Sequence, residues 1–200
     1  MAGFLNTYIT SPTHHIILRN PEPQDAAGLS KILSEPSNIE SDPHMSASGI
    51  DEATCETVIA RMRESASAAV PTRVNLVIAL IEPAEHDESR ETLIGLSGFG
   101  GIDEIDGKRF ADVGAVLLPE YRRRGYALEA MRLSIEFAFR ELKTEAVSAQ
   151  VLDRNERMRP LLQNRLGWEG VRSEGKHGAE WRFEMDEAAW KEMKTRLAWP

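Results

Sequence analysis

The run Asp112-Val113-Gly114-Ala115-Val116-Leu117-Leu118-Pro119-Glu120-Tyr121-Arg122-Arg123-Arg124-Gly125-Tyr126-Ala127-Leu128-Glu129-Ala130 passes from an apolar strand through a basic turn into a helix. The first backbone N–H groups of that helix lack intrahelical acceptors, and they coincide with the positive end of the helix dipole. A helix start of this kind attracts anions. Gly125 lets backbone approach a ligand with no Cβ in the way, and Ala127 is the next smallest choice. Arg122, Arg123 and Arg124 add donors suited to phosphate oxygens. The stretch reads as a diphosphate cradle fed by a strand.

Outward from it, the pattern alternates strands and helices. Ile16 to Arg19 reads as a first strand and Gln24 to Ser34 as a helix, with Asp25 near its positive end. Residues 1 to 15 carry no periodicity, and His14-His15 reads as part of an exposed lead-in rather than a metal site. Glu35 to Ile50, rich in Ser, Pro, Asp and Asn, reads as a loop. A helix from Asp51 to about Ala69 aligns Cys55, Val58, Ile59 and Met62 on one face, which makes Cys55 a packed thiol rather than a nucleophile.

Strands follow at Arg73–Ile81 and Thr92–Ile102, joined through an exposed hairpin loop at Glu82–Glu91. Gly95-Leu96-Ser97-Gly98-Phe99-Gly100-Gly101 fits neither a serine-hydrolase elbow nor a dinucleotide fingerprint, because no helix follows it. Its glycines mark a bent strand. An Asp106-Gly107 turn leads into the central strand, Arg109–Leu118. After Gly125, Leu128, Met131, Ile135, Ala138 and Leu142 form one buried helical stripe. Ala146–Leu152 is the next strand and Asn155–Leu166 a helix closed by a Gly167 C-cap. A strand pair, Val171–Gly175 and Ala179–Met185, and a helix from Asp186 or Glu187 to Leu197 complete the chain.

Arg122, Gly125 and Ala127 occupy the three defined positions of Arg/Gln-x-x-Gly-x-Gly/Ala, the loop of motif A in the GNAT N-acetyltransferase superfamily, and the chain resembles that family. The run Ala111–Met131 and the Leu-Arg, proline, Asp-Ala opening are similar to the branch containing ribosomal-protein N-terminal acetyltransferases. Asn155 and the Leu166-Gly167-Trp168 ending resemble motif B, with two departures: Met158 replaces its serine, and the helix is one residue longer. The resemblance implies one α/β (α+β) domain over residues 1–200. Its sheet would be mixed and mostly antiparallel, with about seven strands flanked by helices and a V-shaped split between the fourth and fifth.

It also implies acetyl-CoA as cosubstrate. Val116, Leu117 and Leu118 would offer backbone groups to pantetheine, and a distortion in their strand would turn an N–H toward the thioester oxygen. Arg122, Arg123, Arg124, Gly125, Tyr126 and Ala127 would hold the pyrophosphate, and Asn155 the pantetheine arm. The implied reaction is attack of a neutral amine on the thioester. An alkyl amine has a pKa near ~10 and must first lose a proton. Asp112 is the first candidate acceptor, with a strand-edge charge or an ion pair to Arg109 as its structural alternative. Glu104 and His177 are weaker candidates, and Asp42, His44 and Met45 border the expected acceptor cleft. With Met158 at the serine position, the CoA thiolate takes its proton from water.

Composition sets the limits. Two hundred residues, 42% apolar, suit one core, and a formal charge of −8 argues against a nucleic-acid binder and is compatible with a cationic acceptor. One cysteine excludes an intramolecular disulfide framework and fits a reducing, cytoplasmic location. Neither a signal peptide nor a membrane span is legible, and no metal-ligand spacing appears. The acceptor is left among protein N-termini, polyamines, aminoglycoside-like molecules and metabolite amines. Trp181, Trp190 and Trp199 are core or interface, the latter implying a homodimer. The alternatives are an acyl-CoA-binding module without turnover and, against the net charge, a nucleic-acid patch at the three arginines.

Overall fold

The structure, a computed structural model, describes residues 3–42, 45, 47–82 and 90–199. The hairpin connection expected at Glu82–Glu91 falls mostly outside these residues, as does His44. Among the described residues eight strands form one sheet: β1 (Tyr8–Thr10), β2 (Ile16–Arg19), β3 (Val74–Glu82), β4 (Arg90–Ile105), β5 (Lys108–Leu117), β6 (Ala146–Leu152), β7 (Gly170–Gly175) and β8 (Gly178–Asp186). Their spatial order is β1-β2-β3-β4-β5-β6-β8-β7. Every neighbouring pair is antiparallel except β5–β6, which is parallel. The chain therefore forms a single mixed α/β domain. Its seven predicted strands are joined by β1, too short for any alternation to show.

Six α-helices among the described residues flank the sheet: α1 (Ala26–Leu33), α2 (Pro36–Ile39), α3 (Glu52–Ser67), α4 (Tyr126–Phe137), α5 (Met158–Pro160) and α6 (Glu187–Arg196). On one face, Ala26 and Leu29 of α1 pack with Cys55 and Ile59 of α3 against Leu96. Alternation along β3 sends Val74, Leu76 and Ile78 to the opposite face, where they join Met131 and Ile135 of α4. Trp190 and Met193 of α6 extend this core. Caps fix the helix starts: Asp51 Oδ1 accepts from Thr54 N at 2.7 Å, and Asp186 Oδ1 from Ala189 N at 2.8 Å.

Three local departures are informative. The Glu35–Ile50 loop contains α2, begun by Pro36, with Glu35 accepting from Ser37 N. The helix from Asn155 starts as α5 and continues as a π-helical turn at Leu161–Arg165. The tryptophans pack inward: Trp190 is buried and lies against Trp199, and Trp181 stacks on Phe183.

Candidate functional site

The site begins where the sheet comes apart. β5 and β6 pair only at Phe110↔Ala146, Ala111↔Val147 and Asp112↔Ser148, and beyond that step the strands diverge. Opposite the same level, Gly100 is an extra residue in β4, between Phe99↔Val113 and Gly101↔Asp112. A bulge bends its strand and raises the local twist, which separates β5 from β6 where the pairing stops. The distortion expected in β5 thus lies in its neighbour. The opening is a cleft of about 970 Å³ lined by Asp112, Gly114 and Val116 of β5 and by Ser148, Gln150 and Leu152 of β6. Asp42, Met45 and His177 lie on its rim, whereas Glu104 does not line it.

Backbone direction along β5 decides which groups face the split. Leu118 N donates to Ile94 O at 2.9 Å, and Gly114 O accepts from Ser97 Oγ, so both point to β4. Arg109 O accepts from Glu145 N on the other side. Because these directions alternate residue by residue, Val113, Ala115 and Leu117 turn their N–H and C=O groups toward the split. Of Val116, Leu117 and Leu118, Leu117 turns its backbone polar groups toward the split, while Val116 and Leu118 direct theirs to β4 and Val116 lines the cleft. Val113 and Ala115 share the backbone orientation of Leu117.

At the end of β5, Tyr121 N donates to Leu118 O and Arg122 N to Pro119 O, closing a tight turn. Arg122 then folds back. Its Nε and Nη2 donate to Leu117 O at 3.0 and 2.9 Å, and Nη2 also to Asn38 Oδ1 at 2.9 Å. The Leu117 carbonyl is thus occupied, and its N–H is the group left for a ligand. Burial, and secondarily the Arg157 charge, lower the Arg122 pKa from the usual arginine value. Arg122 ties the loop to α2 through Asn38. On the β6 side, Arg157 Nη1 donates to Ser37 O and Arg154 Nε to Glu40 O, so α2 is held from both arms of the split.

Gly125 caps α4 with φ +84°, a backbone conformation that disfavours a side chain. Arg123 also has positive φ, +61°. Among the described residues, no protein acceptor pairs with the backbone N–H groups of Arg123, Arg124, Gly125, Tyr126 or Ala127. Arg123 and Arg124 are exposed, Arg124 lying 6.0 Å above the Tyr121 ring. A file of open donors therefore starts where β5 ends.

Asp112 sits at the last paired step, at the closed end of the cleft, and accepts from Ser148 Oγ at 3.3 Å. Arg109 does not supply the ion pair considered for it. That side chain lies on the opposite strand face and donates from Nη1 to Leu142 O. Asn155 faces the cleft, but its Oδ1 accepts from Met158 N at 3.1 Å and Arg157 N at 3.3 Å, so it caps the following turn. Among the described residues no tyrosine lines the cleft, and Met158 does.

Nothing in the sequence pattern pointed to His14. Its Nε2 lies 2.7 Å from where a Cβ on Gly125 would stand, and its ring meets Tyr126 edge-on at 5.9 Å. The lead-in is therefore packed on the loop. Strand parity separates split-facing from β4-facing residues, but its phase is set by the observed Leu118 N to Ile94 O bond, so Val113 and Ala115 were not findable from sequence alone.

Among the described residues the sheet opens at its single parallel junction, with unpaired helix-start amides at its mouth. The sequence model of the acetyltransferase (GNAT) domain matches residues 15–169, and the chain belongs to that family. Among solved structures, RimJ from Mycobacterium smegmatis in complex with CoA-disulfide is similar with a TM-score of 0.73 at 15% identity, covering 96% of this chain and 93% of that one. Ribosomal-protein-S5-alanine acetyltransferase from Vibrio fischeri gives 0.73 at 16% identity, covering 92% and 99%. FdhC, described as a nucleotide-linked sugar GNAT, gives 0.70 at 18% identity, covering 96% and 97%. No curated protein sequence matches the chain.

Proposed function

We propose that the protein transfers an acetyl group from acetyl-CoA to a primary amine by direct attack. One observation carries this: a row of split-facing backbone groups on β5 leads into a file of unpaired helix-start amides. A diphosphate at residues 123–127 sets the polarity of the bound molecule, with its pantetheine arm running back along β5. From Leu117 to Val113 the strand spans about 13 Å, so the thioester ends beside Asp112. The amide-bearing arm pairs with Val113, Ala115 and the Leu117 N–H as an added strand would, and Asn155 Nδ2 is the donor left after its Oδ1 is used as a cap.

Asp112 then takes the proton from the incoming ammonium, directly or through one water. The freed nitrogen attacks the thioester carbonyl, the C–S bond breaks, the sulfur leaves as thiolate, and the nitrogen, now an amide, gives its second proton to water. A thiol pKa near ~8.5 makes that a fair leaving group, and water supplies its proton. Orientation and deprotonation carry most of the rate enhancement. The similar structures include a ribosomal-protein-S5-alanine acetyltransferase and a nucleotide-linked sugar GNAT, and the acceptor here is an amine of open class.

Incubation with acetyl-CoA and a panel of peptide N-termini, polyamines, aminoglycosides and metabolite amines tests the proposal. A mass gain of about 42 Da, one acetyl group, on one class is the expected result. Met158 favours one second reading, an acyl-CoA-binding module. Tight CoA binding without product across the panel would select it.

A further inference from the structure

We infer that His14 is part of the phosphate-binding site, contributing an imidazole donor from outside the motif A loop. The inference rests on the proposed acetyl-CoA reading and adds to it a residue that lies 111 positions away in sequence from Gly125.

The ring is held in place. Ser11 Oγ accepts from Thr13 N at 3.1 Å and His14 N at 2.9 Å, closing a tight turn before β2. The same hydroxyl donates to Glu129 Oε1 at 2.6 Å, and Glu129 is buried in the first turn of α4. Glu129 is in turn paired with Arg132 at 2.6 Å. The turn is thereby bolted to the helix whose start is the proposed anion site, and Glu129 has its charge matched away from that start.

The orientation suits a ligand. His14 Nδ1 is taken by Thr13 Oγ1 at 2.9 Å, whereas Nε2 stands over Gly125 with no hydrogen-bond partner among the described residues. When the Thr13 hydroxyl donates to Nδ1, Nε2 bears the ring hydrogen, and in the imidazolium it does so regardless. The edge-on contact with Tyr126 fixes the ring plane. Gly125 gives the ring room, and a Cβ there would collide with Nε2. A phosphate oxygen seated on the amides of Gly125 and Tyr126 would lie under that nitrogen.

Binding of three probes to His14→Ala and His14→Gln tests this: CoA, dephospho-CoA and S-acetylpantetheine, which lacks every phosphate. In His14→Ala, affinity for CoA and dephospho-CoA should fall about tenfold, the scale of one charge-assisted hydrogen bond. Affinity for S-acetylpantetheine should not change. Gln places an amide donor near the Nε2 position, so His14→Gln should recover most of the loss. Unchanged or tighter CoA binding by His14→Ala would overturn the inference by making the ring a mere wall, and so would an equal loss for S-acetylpantetheine. If the unaltered protein binds S-acetylpantetheine as tightly as CoA, the phosphate cradle itself fails, which is a separate result.

Discussion

Two residues at the site do double service, and substitutions can separate the roles. Asn155 uses its carbonyl oxygen to cap the turn at Arg157 and Met158 and leaves its amide for a ligand. Asn155→Ala should cost about 1 kcal/mol of stability through the lost cap. Asn155→Asp keeps the acceptor and removes the donor, so its thermal midpoint should hold while CoA affinity drops severalfold by calorimetry. The isosteric substitution Asp112→Asn keeps an acceptor for Ser148 Oγ and removes the base. It should lower kcat by about 100-fold or more with CoA affinity unchanged. An undiminished kcat would remove Asp112 from that role. Gly125 was legible from sequence because the motif's spacing and its position between strand and helix agree. His14 was not, because its partner is fixed only by the folded turn.

At the level of elements, the first turn of α4 depends on a buried ion pair. Glu129 and Arg132 are 5% and 4% exposed, so neutralising the carboxylate removes the matching charge from a guanidinium held out of water. Glu129→Gln should destabilise the fold by about 3–5 kcal/mol. Burial pushes the Glu129 carboxyl up, but the hydrogen bonds from Arg132 and Ser11 outweigh it and hold the group below its ordinary value of 4.5. A depressed carboxyl contributes stability that is complete above 4.5 and is lost as pH falls through the lower folded value. Thermal midpoints should therefore fall on acidification below pH 4.5, more steeply in the unaltered protein than in Glu129→Gln. Elements were read unevenly from sequence. Long periodic segments such as α3 and α4 were plain, whereas α2 and β1, at four and three residues, are shorter than the periods that would announce them.

For the molecule as a whole, the split predicts a local response to ligand. On CoA binding, hydrogen exchange should slow at Val113, Ala115 and Leu117 and across residues 123–127, with little change in β1 to β3. Protection at Val116 and Leu118 instead would contradict the strand parity of β5. The position of the split was legible because family motifs flank it on both strands. The backbone groups that face it were not, since parity needs at least one observed hydrogen bond to fix its phase.

The three arginines that grip α2 from opposite sides, Arg122 from one arm and Arg154 and Arg157 from the other, make that single helical turn a spreader bar. With the gap's width already set, an incoming arm need not wedge the blades apart, and less of its contact energy is consumed in ordering them.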